Sequence, residues 1–372
     1  MNQVRILRRK TFGWTYPWVI LAVLVSGVLA SASETEINSQ KIDALFSHLS
    51  TSVSPGYSIG WMIGDQVVHA EGYGMADLSN GTPITPDSAF NLASLSKQFT
   101  AATVAILIQR GVIELDDPLS KHWPGLPEFM HPIKISHLVY MTSGLPEYYT
   151  LESPKGGWSA SDGFTVDDAI QTVIQAGELE FLPGTRWSYS NINYQFLAQL
   201  VALKSGQSFS EFSQRNIFQP LAMNSSWIDA PIDTSRANRV TSYVRNDTDS
   251  AWQEALRLSP HYGGSGMYSS LNDLIRWHNA LFIDHALGTE FSTIMLATQS
   301  FNHPKNNDAF GLVHGTFQGE PTIWYEGGDY GVSTYLIRLP DRNQAFVCLS
   351  NFGSGACQSK TKAIMKIVLD GK

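Results

Sequence analysis

The sequence predicts an α+β fold, an antiparallel sheet flanked by helices and joined to an all-helical lobe. Three observations carry this. Alternating apolar runs bounded by turn residues occur early, over residues 57–63 and 66–74, and again late, over 322–326, 331–339 and 345–352. The long stretch between them repeats its apolar residues mostly at helical spacing. A helical segment stands at each end, placed to cover one sheet made from the early and late strands. The layout expects a sheet lobe over about 34–90 and 255–372, a helical lobe over about 91–254, and a site in the cleft between them.

Taken in order, Ile37, Ile42, Leu45, Phe46 and Leu49 mark one face of a helix over residues 34–54, which Pro55-Gly56 stops. Gly64-Asp65 turns the first hairpin. From Phe99, the residues Ala102, Thr103, Ile106 and Leu107 share a helical face and Gly111 ends it. Residues 135–142 read as a short helix stopped at Ser143-Gly144. Residues 146–164 are rich in Gly, Ser and Tyr without periodicity, a surface loop near a site. A helix over 166–176 carries Asp167 and Asp168 in its first turn. The loop 181–191 leads into an apolar helix over 192–205, then another over 208–217, and 229–250 is polar connecting chain. Ser270 to Asp273 forms a capping box that opens a helix to Phe282; His278 lies on its apolar face and reads as a satisfied core histidine. A loop over 300–308, a turn at Pro340 to Asn343 and a helix over 358–369 complete the chain.

The 372 residues are 43% apolar and 16% charged, the balance of a large globular body. The net charge of −8, with no basic run beyond the first residues, argues against nucleic acid as a partner. The N-terminus has the pattern of an export signal. Arg5, Arg8, Arg9 and Lys10 precede an apolar run of 13 residues, Trp18 to Ala30, and Ala30-Ser31-Ala32 is a small-x-small cleavage site. Residues 1–32 are therefore expected to be removed, leaving residues 33–372 as one exported domain, periplasmic or secreted, with no stable membrane anchor. The two cysteines, Cys348 and Cys357, would be free to pair in an oxidising compartment, although the loop is short and Cys348 sits in a strand pattern. No Cys/His cluster has metal-ligand spacing, and neither a metal nor a cofactor is expected.

Ser94 and Lys97 are three apart at the start of the Phe99 helix, on one face. Lys97 is the only charge between Asp87 and Arg110. A lysine pushed into such apolar surroundings is costly as a cation and surrenders its proton more readily. Beside a serine hydroxyl it can take that hydroxyl's proton, and the helix N-terminus favours developing negative charge. The pattern is equally that of a capping serine with a snorkelling lysine. Tyr189-Ser190-Asn191 stands 95 residues later in a loop, where a phenol can relay a proton and an amide can hold a carbonyl and the lysine.

Taken together, the ordered segments Ala93 to Thr100, Gly111 to Pro118, Thr142 to Pro146, Pro183 to Asn191, Ile217 to Met223 and Gly264 to Ser269 resemble the serine β-lactamase-related superfamily: class C β-lactamases, D,D-peptidases and esterases of that fold. The resemblance covers essentially all of residues 36–369. It implies Ser94 as nucleophile, Lys97 and Tyr189 sharing base and proton-shuttle roles, and Asn191 orienting substrate and lysine. It also implies an oxyanion hole made by the serine N–H and one from a third-motif strand. Met141, where these proteins often carry His, reads as structural.

The third motif departs from the family. A gapless alignment on Gly331 puts Tyr325 where Lys or His is usual, then Glu326, with Gly327 at the invariant glycine and Gly328 as the backbone donor. A one-residue shift would put Glu326 at the Lys/His position; either way the cation is missing. A carboxylate within a few ångströms of Glu326 would be repelled by about 1–4 kcal/mol. The expected function is an acyl-enzyme hydrolase of esters or amides, acting on a small-molecule or peptide substrate, with β-lactams disfavoured. The alternative is a catalytically weak, penicillin-binding-like protein that binds cell-wall peptides.

Overall fold

The computed structural model describes residues 34–49, 53–159, 161–246, 249–299, 307–353 and 355–369. The export signal expected over 1–32 and most of the loop expected over 300–308 lie outside them. The chain divides into two compact units between Leu45 and Phe46. The described part of the first is helical from residue 34. Everything that follows belongs to the second.

The early hairpin is β1 (Tyr57–Ile63) and β2 (Gln66–Tyr73). The short strand β3 (Phe90–Asn91) leads into helix α1 (Lys97–Gln109). Helices α2 (Val166–Ala176) and α3 (Ile192–Ser205) follow. Strands β4 (Trp227–Ile228) and β5 (Met267–Ser269) form a small sheet with β3, in the order β3-β5-β4. After helix α4 (Leu271–Phe282) come β6 (Asn307–Asp308), β7 (Val313–Phe317), β8 (Glu320–Asp329), β9 (Val332–Leu339) and β10 (Gln344–Ser350), then helix α5 (Ala356–Leu369).

The main sheet has seven strands in the order β6-β7-β8-β9-β10-β1-β2. All neighbours are antiparallel. The pairing of Tyr57 with Ser350 through Ile63 with Gln344 closes the early hairpin onto the late strands. Every residue of β9 is buried, as suits a central strand covered on both faces.

Helix α1 is buried more completely than a one-face pattern implies: Lys97 through Leu107 are all buried. A helix buried on all sides sits inside the core, and α1 does, its apolar residues in one cluster with Phe196, Leu200 and Trp277. Two expectations need correction. Ser94 lies in a 3-10 turn, Ala93–Ser96, before the α-helix begins. Strand β6 and most of the ribbon of Tyr243–Asn246 with Asp249–Glu254 fall in chain read as loop or connection, and strand β7 falls where no element was expected. Strand β7 is only partly buried and carries a glycine and a threonine, so no apolar alternation marks it.

His278 is satisfied within the core, as its place on α4 suggested. Arg338 donates to its Nε2 at 2.8 Å and its Nδ1–H donates to Asn279 Oδ1 at 3.1 Å. Burial, aided by Arg338, pushes its pKa down to about 4. The unfolded chain takes up that proton near the ordinary value of 6.5, so the folded state loses stability as pH falls from 6.5 toward 4. We expect about 2–3 kcal/mol of acid sensitivity from this residue. Melting temperature against pH should show a slope in this window that flattens in His278→Gln; an unchanged slope would assign it elsewhere.

Candidate active site

Ser94 is presented by a strained turn. Ala93 has φ +47°, unfavourable for a residue with a side chain. The conformation is held by Asn91, whose Oδ1 accepts the Ala93 N–H at 2.9 Å, and by the Leu92 N–H donating to Met267 O at 2.9 Å. Ala93, Leu95 and Ser96 face inward, leaving Ser94 at the rim of the cleft.

One residue past that turn, Lys97 is fully buried, at 0% exposure. Its ammonium donates to Gly264 O at 2.6 Å, to Asn191 Oδ1 at 2.7 Å and to Ser94 Oγ at 3.2 Å. It also lies 4.9 Å from the centre of the Tyr189 ring, a cation–π distance. Tyr189 Oη is 2.8 Å from Ser94 Oγ and 3.3 Å from Asn191 Oδ1. The four residues singled out in two remote segments therefore meet in one hydrogen-bonded group. The serine oxygen has two partners able to take or return its proton.

Glu147 was missed by sequence reasoning and governs this group. Its Oε2 accepts the Asn191 N–H at 2.5 Å and the Asn191 Nδ2 at 3.2 Å, and its Oε1 accepts the Tyr148 N–H at 3.1 Å. Because the amide nitrogen faces Glu147, the amide oxygen must face Lys97. Burial pushes the Glu147 carboxyl up, opposed by the Asn191 N–H and by Lys97. The only signal in the sequence was position: Glu147 directly follows the Thr142–Pro146 segment, which itself carries the loop. Gly184 N donates to Thr142 O at 2.8 Å, Ser188 N to Met141 O at 3.0 Å and Ser143 Oγ to Asn193 Oδ1 at 2.5 Å.

The far wall of the cleft is β8. Gly327 packs against the serine turn so closely that a Cβ there would lie 2.2 Å from Leu92 O and 3.0 Å from Leu95 N. This close approach is what the invariant glycine of the gapless register requires. On alternating strand residues, Tyr325 then shares the Gly327 face and Glu326 the opposite one. Tyr325 is buried, and the Glu326 carboxylate accepts from Gln358 Nε2 of α5 at 3.2 Å. Burial raises its pKa, and Lys362 opposes that. Pairing between β7 and β8 runs from Phe317 with Glu320 to Val313 with Trp324.

Two cavities flank Ser94. One, of about 360 Å³, is lined among others by Met141, Trp187, Leu312, Trp324, Tyr325 and Glu326. Met141 is thus a cleft wall, held at φ +55°, rather than a purely structural residue. The segment of Gly311 and Leu312, which nothing in the sequence marked, forms another wall; a Cβ on Gly311 would lie 2.7 Å from Gln98 N. The other cavity, of about 330 Å³, is aromatic and polar, with Tyr148, Tyr149, Trp158, His261 and Asp329 around Ser94 and Asn191. Burial holds His261 well below its ordinary pKa, aided by Arg257. Among the described residues, no group of three or more His, Cys, Asp or Glu could hold a metal ion. Cys348 and Cys357 are joined by a disulfide, with Cα atoms 5.3 Å apart.

Comparison with known proteins agrees with this geometry. The family model described as Beta-lactamase matches residues 42–366. Penicillin-binding protein 4* of Bacillus subtilis (strain 168) is 27% identical over 305 residues, covering 77% of this chain and 66% of that protein. A D-aminopeptidase of Gluconobacter oxydans (strain 621H) is 26% identical over 306 residues, covering 81% of this chain and 57% of that protein. The chain thus spans between 42% and 66% of the length of these and other curated relatives it matches. The octameric penicillin-binding protein homologue from Pyrococcus abyssi superposes with a TM-score of 0.77 at 22% identity, covering 90% of this chain and 77% of that one, a likeness of fold.

Removing the Glu147 carboxylate leaves the Asn191 and Tyr148 donors without their acceptor. Glu147→Ala should cost about 2–4 kcal/mol in urea unfolding. A loss under about 0.5 kcal/mol would mean that the loop is held by other contacts.

Proposed function

Because the chain belongs to the beta-lactamase family, we propose that it is a serine hydrolase that forms an acyl-enzyme at Ser94 on an ester or amide. The observation that carries this reading is the 2.8 Å and 3.2 Å approach of Tyr189 Oη and Lys97 Nζ to Ser94 Oγ. Ser94 Oγ attacks the substrate carbonyl carbon as its proton passes to the Tyr189–Lys97 pair, which takes it up with one member, the lysine amine or the tyrosine phenolate, deprotonated at the start. The Ser94 N–H and the Gly328 N–H receive the charge that develops on the carbonyl oxygen. The same pair returns the proton to the departing alkoxide or amine, and water then releases the acid. Asn191, oriented by Glu147, keeps the ammonium aimed at the serine.

Substrate class follows from the walls. The apolar cavity suits a compact apolar or aromatic acyl group. Tyr325 stands in place of the family's cation, and Glu326 and Asp329 border the cleft. These features favour neutral or amine-bearing substrates, esterase-like or D-peptidase-like, over β-lactams. The D-aminopeptidase relative supports an amide of that kind. The missing cation also supports a second reading, a catalytically weak protein that binds cell-wall peptides. We further propose that the chain is exported and loses residues 1–32, so that mass spectrometry of protein from the cell envelope should find its N-terminus near Ser33.

A fluorophosphonate probe, then a panel of neutral esters, D-amino-acid amides and β-lactams, should leave mass adducts on the wild type and none on Ser94→Ala. Tyr189→Phe should lower turnover of the best substrate about 10²- to 10⁴-fold, the range for general acid–base groups. A wild type that never acquires an adduct would favour the binding protein.

A further inference from the structure

A third cavity, of about 480 Å³, lies beyond the cleft and is lined among others by Asp77, Asn91, Arg239, Arg257, Tyr268 and Asp329. Asp329 is the one residue it shares with the polar cavity around Ser94. Arg257 is the unusual member. Its side chain is only 8% exposed, yet among the described residues its guanidinium has no short partner. Its Nη1 is 3.5 Å from Asp329 Oδ2, its Nη2 is 3.4 Å from both His261 Nε2 and His261 O, and its buried Nε has no partner among the described residues. Hydrogen bonds at 3.4–3.5 Å are at the outer limit of the interaction, whereas a guanidinium bonded to a carboxylate sits near 2.7–2.9 Å. A buried cation left so poorly bonded is costly. Arg239, in the same cavity, is by contrast held by short hydrogen bonds, its Nη1 donating to Asp229 Oδ1 at 2.8 Å and to Asp233 O at 3.0 Å.

His261 does not relieve Arg257. Its Nδ1–H donates to Ser259 O at 3.2 Å, leaving Nε2 a lone pair that can accept only weakly at the distance seen. Asp329 is partly spent as well, since its Oδ1 accepts the Tyr330 N–H at 2.8 Å. Arg257 therefore lines a cavity of small-molecule size with the fork of its guanidinium incompletely used.

We infer that this cavity is a binding site for a small carboxylate, held by Arg257 in competition with Asp329. It is separate from the cleft that would hold an acyl group on Ser94, and it does not depend on the reaction proposed there. The ligand's carboxylate would supply the short, forked hydrogen bonds that Arg257 lacks.

The test is calorimetric titration of the full chain with acetate and with alanine, against methylammonium as a cation control. Either carboxylate should bind and methylammonium should not. Arg257→Gln should weaken carboxylate binding about tenfold or more, and Arg257→Lys should do so partly. Should Arg257→Gln fold poorly in a thermal melt, Asp329→Asn decides. Removing the competing carboxylate should tighten acetate binding several-fold, which a merely structural ion pair would not do. Glu326→Gln should leave the affinity unchanged. No detectable binding, equal binding by wild type and Arg257→Gln, weaker binding by Asp329→Asn, or tighter binding by Glu326→Gln would overturn the proposal, the last by locating the carboxylate in the cleft.

Discussion

The burial of one ammonium organises the site. Lys97 enters the core at the first turn of a helix that is buried on every side, and three neutral oxygens, from Ser94, Asn191 and Gly264, receive it. They come from three segments, the serine turn, the Tyr-x-Asn loop and the glycine-rich stretch before β5. A buried cation without partners costs several kcal/mol, so each segment is held in place by the need to satisfy it. The acidic charge nearest this arrangement, Glu147, acts at one remove: it fixes the Asn191 amide, and the amide faces the lysine. The lysine nitrogen thus meets the Asn191 amide dipole rather than a carboxylate.

Much of this was legible. The early hairpin, the helices α1 to α4 and the late strands β8 to β10 announce themselves through apolar period and end signals. Ser94 and Lys97 could be paired from local spacing alone. Tyr189 and Asn191 could be attached to them only through the ordered resemblance, because no local rule links residues 95 apart. What stayed hidden has physical reasons. Strand β7 is half exposed and carries no alternation. Glu147 is a single acid beside a loop, and its role exists only once Asn191 has been brought to it. Arg257 lies in chain without periodicity, and its incomplete bonding is a property of the folded neighbourhood.

The third strand shows how a sequence departure can keep a shape while changing its charge. Gly327 remains where backbone must touch backbone, so β8 closes on the serine turn as it would with a cation present. Tyr325 instead turns its ring into the wall of the apolar cavity. Glu326, expected to face a substrate, lines the apolar cavity while its carboxylate accepts from Gln358 of α5. The selectivity proposed for this wall draws as much on the absence of a positive charge as on the presence of a negative one.

The bridge between Cys348 and Cys357 ties the last helix to strand β10, a central strand of the sheet. Chain ends are where local opening ordinarily begins, peeling inward a turn at a time. Here the peeling has a stop. Residues beyond Cys357 can loosen, but the start of α5 cannot leave the sheet without opening the bond. Unwinding of α5 toward its start would halt at that point, and Gln358, the partner of Glu326, is the first residue past the tether.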